Sequence, residues 1–187
     1  MSDVSIRPLT PDDWQAFQAL RLEALKAYPH FYCSSYQSEA GYDQEKIKKY
    51  WLNGGNKSVF GLFDGDALIG ITGVFTWKED AAGKTGVMGA SYIRPSHQGR
   101  GYSRLLYQAR IDWAMEHKEW SKLVVSHRAS NERSRRANQA FGFVLTHKSS
   151  HAWPDGTHED ELHYEMDLAA RRAHAARQVY SSSQDVF

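Results

Sequence analysis

The sequence IRPSHQGRGYSRLL, residues 93–106, joins two elements that the flanking residues predict. Before it, residues 86–94 are apolar and rich in small side chains, which is typical of a buried strand that ends at Pro95. After it, apolar side chains recur at helical spacing and predict a helix from about Gly101, with one face formed by Tyr102, Leu105, Leu106, Ala109 and Trp113. The sequence therefore predicts a glycine-rich loop between a buried strand and a helix.

This loop has the chemistry needed to bind a phosphate group. A helix start presents unpaired backbone N–H groups and a partial positive charge, and glycine lets the backbone approach a ligand closely. Arg100 and Arg104 add donors for charge-assisted hydrogen bonds to a pyrophosphate. The pattern is neither a P-loop nor the dinucleotide-binding fingerprint, because the residues that complete those motifs are missing. The alternative is a tight turn that needs glycine for steric reasons alone.

The rest of the chain predicts a mixed α/β or α+β domain. Strands are expected near residues 4–9, 57–63, 67–77, 86–94, 123–126, 143–150 and 158–168. Helices are expected near residues 11–27, 43–52 and 131–140, in addition to the one that begins near residue 101. The aromatic segment 28–42 is predicted to be a loop. Residues 169–187 are expected to form a tail with a helical start and a frayed end.

Residues 93–106 resemble the central motif of the GNAT superfamily of N-acetyltransferases, in which Arg/Gln-x-x-Gly-x-Gly/Ala lies between a strand and an apolar helix. Gln98 and Gly101 match this motif, and Ser103 replaces its last small residue. Residues 131–143 resemble a second motif of the family, in which an asparagine begins a helix that ends in Gly-Phe. With weaker matches at residues 21–36 and 155–166, the resemblance spans residues 4–168 in matching order.

The resemblance implies an N-acetyltransferase domain over residues 4–168, followed by the tail 169–187. The implied fold is α/β (α+β), with a mixed, V-splayed central sheet of about seven strands flanked by about four helices. The implied acetyl donor is acetyl-coenzyme A, with its pantetheine arm in the V. The residues expected to bind this cofactor are Tyr92, Ile93, Gln98, Gly99, Arg100, Gly101, Tyr102, Ser103, Arg104 and Asn131.

The catalytic groups depart from the family pattern. A tyrosine one helical turn before Gly-Phe often protonates the departing thiolate in the family, and Asn138 occupies that position here. An amide donates hydrogen bonds but is not a general acid. A thiol with a pKa near about 8.5 leaves fairly well without full protonation, so we expect Asn138 or Ser134 to stabilise the sulfur. The general base stays open among His127, His147, His151 and Glu161.

The expected acceptor is a small-molecule amine. If the family layout holds, Phe31, Tyr32 and Tyr36 lie beside it, where aromatic rings suit an apolar or cationic group. Alternatively, these rings pack the N-terminal helices onto the sheet. Two other functions stay open: a catalytically silent module that binds coenzyme A, and acetylation of a protein N-terminus or lysine.

Length, charge and cysteine content limit the remaining possible partners and cellular locations. A length of 187 residues fits one domain, and a formal net charge of +1 does not favour a nucleic-acid partner. Cys33 is the only cysteine, which rules out an internal disulfide and suits a reducing compartment. The sequence shows neither a signal peptide nor a run of about 18 apolar residues that would span a membrane. We therefore expect a cytoplasmic protein without a metal ion or membrane association; homodimerisation, common in the family, stays open.

Overall fold

The computed structural model describes residues 4–184, with side chains as far as residue 178. Its centre is a seven-stranded sheet in the order β1-β2-β3-β4-β5-β7-β6. β4 and β5 are parallel, and the other neighbouring strands pair in antiparallel fashion. The strands are β1 (Val4–Pro8), β2 (Lys57–Asp64), β3 (Ala67–Thr76), β4 (Thr85–Ile93), β5 (Lys122–Arg128), β6 (Val144–Ala152) and β7 (His158–Asp167).

Six α-helices lie within the described residues: α1 (Trp14–Ala27), α2 (Tyr36–Glu39), α3 (Gln44–Ile47), α4 (Tyr102–Glu116), α5 (Glu132–Ala140) and α6 (Leu168–Gln184). α1 follows a 3-10 turn at Pro11–Asp13, where the Asp13 carboxylate accepts the backbone N–H of Thr10. α3 continues into a π-helical turn at Lys48–Leu52. None of the helices in residues 4–184 is long and apolar enough to cross a bilayer.

The sheet opens between β4 and β5. The two strands pair only where Thr85–Val87 lies beside Lys122–Val124, although β4 continues to Ile93 and β5 to Arg128. The β3–β4 ladder slips near Thr72, opposite Ala90, which adopts a positive φ of 56°. A bulge of this kind bends a strand and increases its twist. The result is a V-shaped opening, here called the β4–β5 gap, between residues 88–93 and 125–128.

Helices cover both faces of the N-terminal half of the sheet, so β2 and β3 are buried almost continuously rather than at alternate residues. On one face, here called the α1 face, α1 packs over β3 and β4. On the opposite α4 face, α4 packs over β2, β3 and β4, and α5 packs over β5. The space between α4 and α5 therefore lies over the β4–β5 gap.

The fold class predicted from the sequence is confirmed, because the mixed sheet has seven strands, splays at β4–β5 and is flanked by helices. The helices differ in detail from the prediction. The segment 28–42 contains a 3-10 turn at Pro29–Phe31 and the short helix α2. Ser35 caps the N-terminus of α2, because its hydroxyl accepts the backbone N–H of Ser38. The helix expected near residues 43–52 is divided between α3 and the π-helical turn.

The last helix, α6, extends the helical start expected of the tail as far as Gln184. Residues 185–187, where the frayed end was expected, lie outside the described residues. Arg172 fastens α6 to the end of α4, because its guanidinium donates at 2.7 to 2.9 Å to the backbone carbonyls of Ala114, Met115, His117 and Trp120. Carbonyls at a helix C-terminus have no partner within the helix, so this arginine serves as a cap.

Candidate active site

The loop after β4 ends in an open helix start. A 3-10 turn at Pro95–His97 is followed by Gly99 and Gly101, whose positive φ values of 77° and 80° favour glycine, and α4 then begins at Tyr102. Among the described residues, no side chain caps this helix, and a Cβ at either glycine would meet no atom within 4 Å. The backbone N–H groups of Tyr102 and Ser103 are therefore available to an anion, whereas that of Arg104 donates to the Gly101 carbonyl at 3.0 Å.

Two side chains predicted to bind the cofactor hold the loop itself in place. Gln98 Nε2 donates to the Ile93 carbonyl at 2.8 Å, and Gln98 Oε1 accepts from Arg133 Nη1 at 3.2 Å. Arg100 Nη2 donates to the Ser96 carbonyl at 3.2 Å. Gln98 therefore connects the end of β4 with α5. Arg133 was not assigned from the sequence, where its only signal was its place in the first turn of α5.

Tyr92 and Ile93 form the β4 side of the gap. The Tyr92 hydroxyl donates to the Glu23 carboxylate at 2.9 Å on the α1 face, whereas the Ile93 side chain packs near Tyr102 on the α4 face. Burial, followed by the Glu23 carboxylate, raises the pKa of Tyr92. This part of β4 pairs with β3 on one edge, where the Arg94 N–H donates to the Ile69 carbonyl, and its other edge, to which the backbone groups of Ile93 point, faces the gap because β5 has diverged. That edge suits the amides of an extended ligand.

On the opposite side of the gap, α5 carries the predicted residues Asn131, Ser134 and Asn138. Asn131 Oδ1 accepts the backbone N–H of Ser134 at 3.1 Å and caps α5, so this oxygen has a structural role. Asn138 is fully buried, and its Oδ1 accepts the Tyr107 hydroxyl at 2.7 Å. Its Nδ2 has no partner among the described residues. Sequence reasoning missed Tyr107, because nothing local connects it with a residue on another helix.

Three of the four candidate bases lie on the α1 face of the sheet, on β6 and β7. Glu161, which is 8% exposed, accepts the Ser126 hydroxyl at 2.5 Å. Its other oxygen is 3.3 Å from His151 Nδ1 and 3.8 Å from His163 Nε2. The Ser149 hydroxyl lies 2.8 Å from the same nitrogen of His163. We call Ser126, Ser149, His151, Glu161 and His163 the acid–histidine cluster.

The other two candidate bases, His147 and His127, lie outside the acid–histidine cluster. His147 stacks on His163 with ring centroids 4.2 Å apart and borders the cluster. His127 enters the α4 face instead, where it stacks on Tyr164. His163 was not a candidate from the sequence, since its position beside Glu161 depends on the pairing of three strands. Within the described residues, no group of three or more His, Cys, Asp or Glu side chains forms an arrangement that suits a metal ion.

Within the cluster, His163 is in a form that can accept a proton. Burial lowers the pKa of His163, and the Glu161 carboxylate opposes that effect only in part. His163 is therefore neutral at pH 7, with a lone pair on one ring nitrogen. In the aromatic segment, partial burial followed by the Glu161 charge raises the pKa of the Cys33 thiol, although the residue is exposed at the surface.

The three predicted acceptor residues fall in different environments. The Tyr32 hydroxyl donates to the Ser91 carbonyl of β4 at 2.9 Å, and burial raises its pKa to about 12. Phe31 is 38% exposed and stacks on Tyr28. Tyr36 lies in α2, where its ring packs against the Lys26 ammonium of α1 rather than against β4. The structure thus brings Tyr32 to the gap, leaves Phe31 accessible beside it, and assigns Tyr36 a contact between helices.

Arg128 fastens the aromatic segment to the C-terminal half of the sheet. Its guanidinium donates to the His30 carbonyl at 3.1 Å and to Asp155 at 2.8 Å, and it also pairs with Glu159. The Thr157 hydroxyl, followed by Arg128, holds the pKa of Asp155 below its usual range, and Arg128 lowers the pKa of Glu159. Residues 28–32 are therefore fixed at both sides of the gap, by Tyr32 at β4 and by Arg128 at β5.

Comparison with known proteins agrees with this geometry. A family model described as an acetyltransferase (GNAT) domain matches residues 3–144. No curated protein matches the chain. A GNAT-family acetyltransferase from Streptococcus pneumoniae has a similar structure, with a TM-score of 0.77 and 17% sequence identity over 88% of this chain and 99% of that one.

Two further solved structures share the fold. A protein from Salmonella typhimurium, determined with its cofactor acetyl-CoA, gives a TM-score of 0.72 and 18% identity over 89% of this chain and 95% of that one. A spermidine N-acetyltransferase from Vibrio cholerae, determined with CoA and spermine, gives 0.70 and 15% identity over 89% and 96%. Because the family model matches well over half of the 187 residues, the chain belongs to the GNAT acetyltransferase family.

Proposed function

We propose that this chain transfers the acetyl group of acetyl-coenzyme A to the amine of a small molecule. The observation that carries the proposal is the β4–β5 gap, which leads directly to the open start of α4. The gap offers an unpaired strand edge to the amides of pantetheine, and the helix start offers N–H groups to a pyrophosphate. The Salmonella typhimurium protein with acetyl-CoA supports this choice of donor at the level of the fold.

The residues present fit this donor. The backbone from Gly99 to Ser103 would hold the pyrophosphate, with charge added by Arg100 and Arg104, while Gln98 and Arg133 keep the loop in shape. The gap-facing β4 edge at Tyr92 and Ile93 would bind the pantetheine amides, with the Ile93 N–H as the free group because the Ile93 carbonyl already accepts from Gln98 Nε2. Asn131 would contribute by capping α5, the helix that carries Asn138.

The proposed reaction is direct attack of the amine on the thioester. The C–N bond forms, the C–S bond breaks, and its electron pair leaves with the sulfur. Backbone N–H groups of β4 near Ile93 stabilise the charge that develops on the thioester oxygen. The acid–histidine cluster accepts the proton that the amine loses, through the Glu161 carboxylate or the neutral His163.

The surroundings of the cluster favour an amine acceptor. A buried carboxylate attracts an ammonium group, and the accessible Phe31 ring offers a face to its hydrocarbon part or its charge. The Vibrio cholerae relative, by its description a spermidine N-acetyltransferase, acts on such a molecule. The single cysteine fits activity in a reducing compartment such as the cytoplasm.

The test is release of free thiol from acetyl-CoA by the purified protein, with panels of free amines and of peptides. We expect turnover with at least one free amine. Turnover with peptides but with none of the free amines would show that the acceptor is a protein instead. Binding of acetyl-CoA with no thiol release from either panel would instead support a catalytically silent module that binds coenzyme A. The observation that favours this alternative is that Asn138 replaces the usual tyrosine.

A further inference from the structure

Arg110 places a positive charge inside the α4 face, and no carboxylate in the described part of the chain forms an ion pair with it. The residue is 2% exposed, and its Nη2 has no hydrogen-bond partner among the described residues. Its Nε donates to the Leu106 carbonyl at 3.1 Å. Burial lowers its pKa to about 10, and Tyr107 is the group that opposes this effect. A buried charge is costly unless something compensates it, so this arginine requires an explanation.

Tyr107 connects this charge to Asn138. The Arg110 guanidinium lies 4.6 Å from the centre of the Tyr107 ring. The Tyr107 hydroxyl donates to Asn138 Oδ1 at 2.7 Å, so the amide nitrogen Nδ2 carries the free N–H. The ring is held by stacking on Phe141, with centroids 4.7 Å apart.

The three side chains have a surplus of donors. Arg110 Nη2 and Asn138 Nδ2 are both buried and unpartnered within the described residues, and the network carries one positive charge. A buried donor without a partner is destabilising, and low polarity strengthens its hydrogen bond to any acceptor that reaches it. The chemistry of the network is therefore complementary to an anionic group of a ligand.

The network lies where such an anion forms. α4 packs over β2 to β4 and α5 over β5, so a contact from Tyr107 on α4 to Asn138 on α5 bridges the β4–β5 gap on the α4 face. The acid–histidine cluster lies on the opposite face of the sheet. A thioester held in the gap would thus have a proton acceptor on one side and a set of donors on the other.

Resting on the proposed acetyl transfer, we infer that Arg110, Tyr107 and Asn138 form a donor relay that stabilises the departing thiolate. When the C–S bond breaks, the electron pair stays on sulfur, and Asn138 Nδ2–H donates a hydrogen bond to it without transferring a proton. Arg110 and Tyr107 are positioning residues, because they orient and polarise the amide and do not touch the sulfur. Solvent protonates the thiolate after its release.

The test measures the pKa of the thiol of bound coenzyme A, from its thiolate absorbance in pH titrations, together with steady-state kinetics. Tyr107→Phe removes the hydroxyl and keeps the ring that stacks on Phe141. We expect the pKa of the bound thiol to rise by about 1 unit, and kcat to fall about 10- to 100-fold with little change in KM for acetyl-CoA. Asn138→Asp keeps the shape and the acceptor for Tyr107 but removes the N–H, and its effect is expected to be larger.

Tyr50→Phe is the matched control, since Tyr50 is 50% exposed and belongs to the π-helical turn. A thiol pKa and a kcat equal to wild type in folded Tyr107→Phe and Asn138→Asp proteins would overturn the relay while leaving acetyl transfer in place. If Tyr107→Phe shows no cooperative thermal unfolding transition, the thiol pKa and kcat of Asn138→Asp decide whether the relay exists. Absence of coenzyme A binding by the wild type would instead refute the proposed function, and the relay with it.

Discussion

Glu161 shows how one residue acquires a role from neighbours that are distant in sequence. Its carboxylate lies between the hydroxyl of Ser126 on β5 and the imidazole of His151 on β6, with His163 beside it on its own strand. A carboxylate so placed accepts hydrogen bonds from several directions and stays close to the gap. It is therefore the strongest candidate to receive the proton of the attacking amine.

For Glu161→Gln, we predict a fall in kcat of about 10²- to 10⁴-fold, because the amide cannot accept the amine proton. The affinity for acetyl-CoA is expected to stay unchanged, since Glu161 lies on the face opposite α4. Steady-state thiol release and calorimetry measure the two quantities. Glu165→Gln is the matched control, being on the same strand and face but paired with Lys122 at 3.0 Å. Equal kcat in the two variants would remove Glu161 from the mechanism.

The role of a single residue could be predicted from the sequence where it depends on the local backbone, but not where it depends on contact with a residue distant in sequence. Gly99 and Gly101 were recognised because their need for unusual backbone angles is a property of the loop itself. Tyr107 was missed because its partner Asn138 is 31 residues away on another helix. His127 and Glu161 looked equivalent as bases, yet the strand alternation places them on opposite faces of the sheet.

At the scale of elements, strands and long helices followed from their hydrophobic patterns, whereas the short helices did not. α2 has only four residues and depends on the cap at Ser35 and on the buried pair of Arg21 with Glu39, at 2.7 Å. A helix of this length is not stable alone, so no pattern of its own predicts it. The splay of β4 from β5 was expected only through the family resemblance, and the bulge at Ala90 accompanies it in the structure.

The contact of α6 with α4 leads to a prediction about stability. Arg172→Met removes four hydrogen bonds to carbonyls at and after the end of α4, and we expect it to lower the free energy of unfolding by about 2–3 kcal/mol. Arg171→Met is the matched control at an exposed neighbouring position, expected to change it by less than about 0.5 kcal/mol. Urea denaturation measures both, and equal midpoints would show that Arg172 does not cap α4.

At the scale of the whole molecule, ionisable groups on different elements have folded-state pKa values below their ordinary values, so each of them makes the folded protein less stable in acid. Burial lowers the pKa values of His127 and His163, so the unfolded chain binds their protons more tightly than the folded protein. Their contribution to stability is fully present above about pH 6.5 and is lost as the pH falls through the folded pKa values. The Arg7 pair lowers the pKa of Asp13 to about 2, which extends the loss of stability to stronger acid.

We therefore predict that the free energy of unfolding decreases between pH 7 and pH 5. The double variant His127→Gln/His163→Gln is expected to reduce this decrease, because it removes two groups that take up protons on unfolding. Urea denaturation at a series of pH values makes the measurement. A wild-type protein equally stable at pH 5 and pH 7 would contradict the assignment of both histidines as neutral in the folded state.

The central claim is that the gap and the open start of α4 together bind acetyl-coenzyme A. Titration calorimetry tests it with the wild type, with Gly101→Val and with Gly83→Val, a control that also has a positive φ (64°) and open surroundings but lies before β4. We predict binding in the micromolar range, about −8 kcal/mol, for the wild type and the control. Gly101→Val is predicted to bind at least about 100-fold more weakly, equal to about 2.7 kcal/mol. No binding by folded wild-type protein, or equal affinity in all three, would contradict the account.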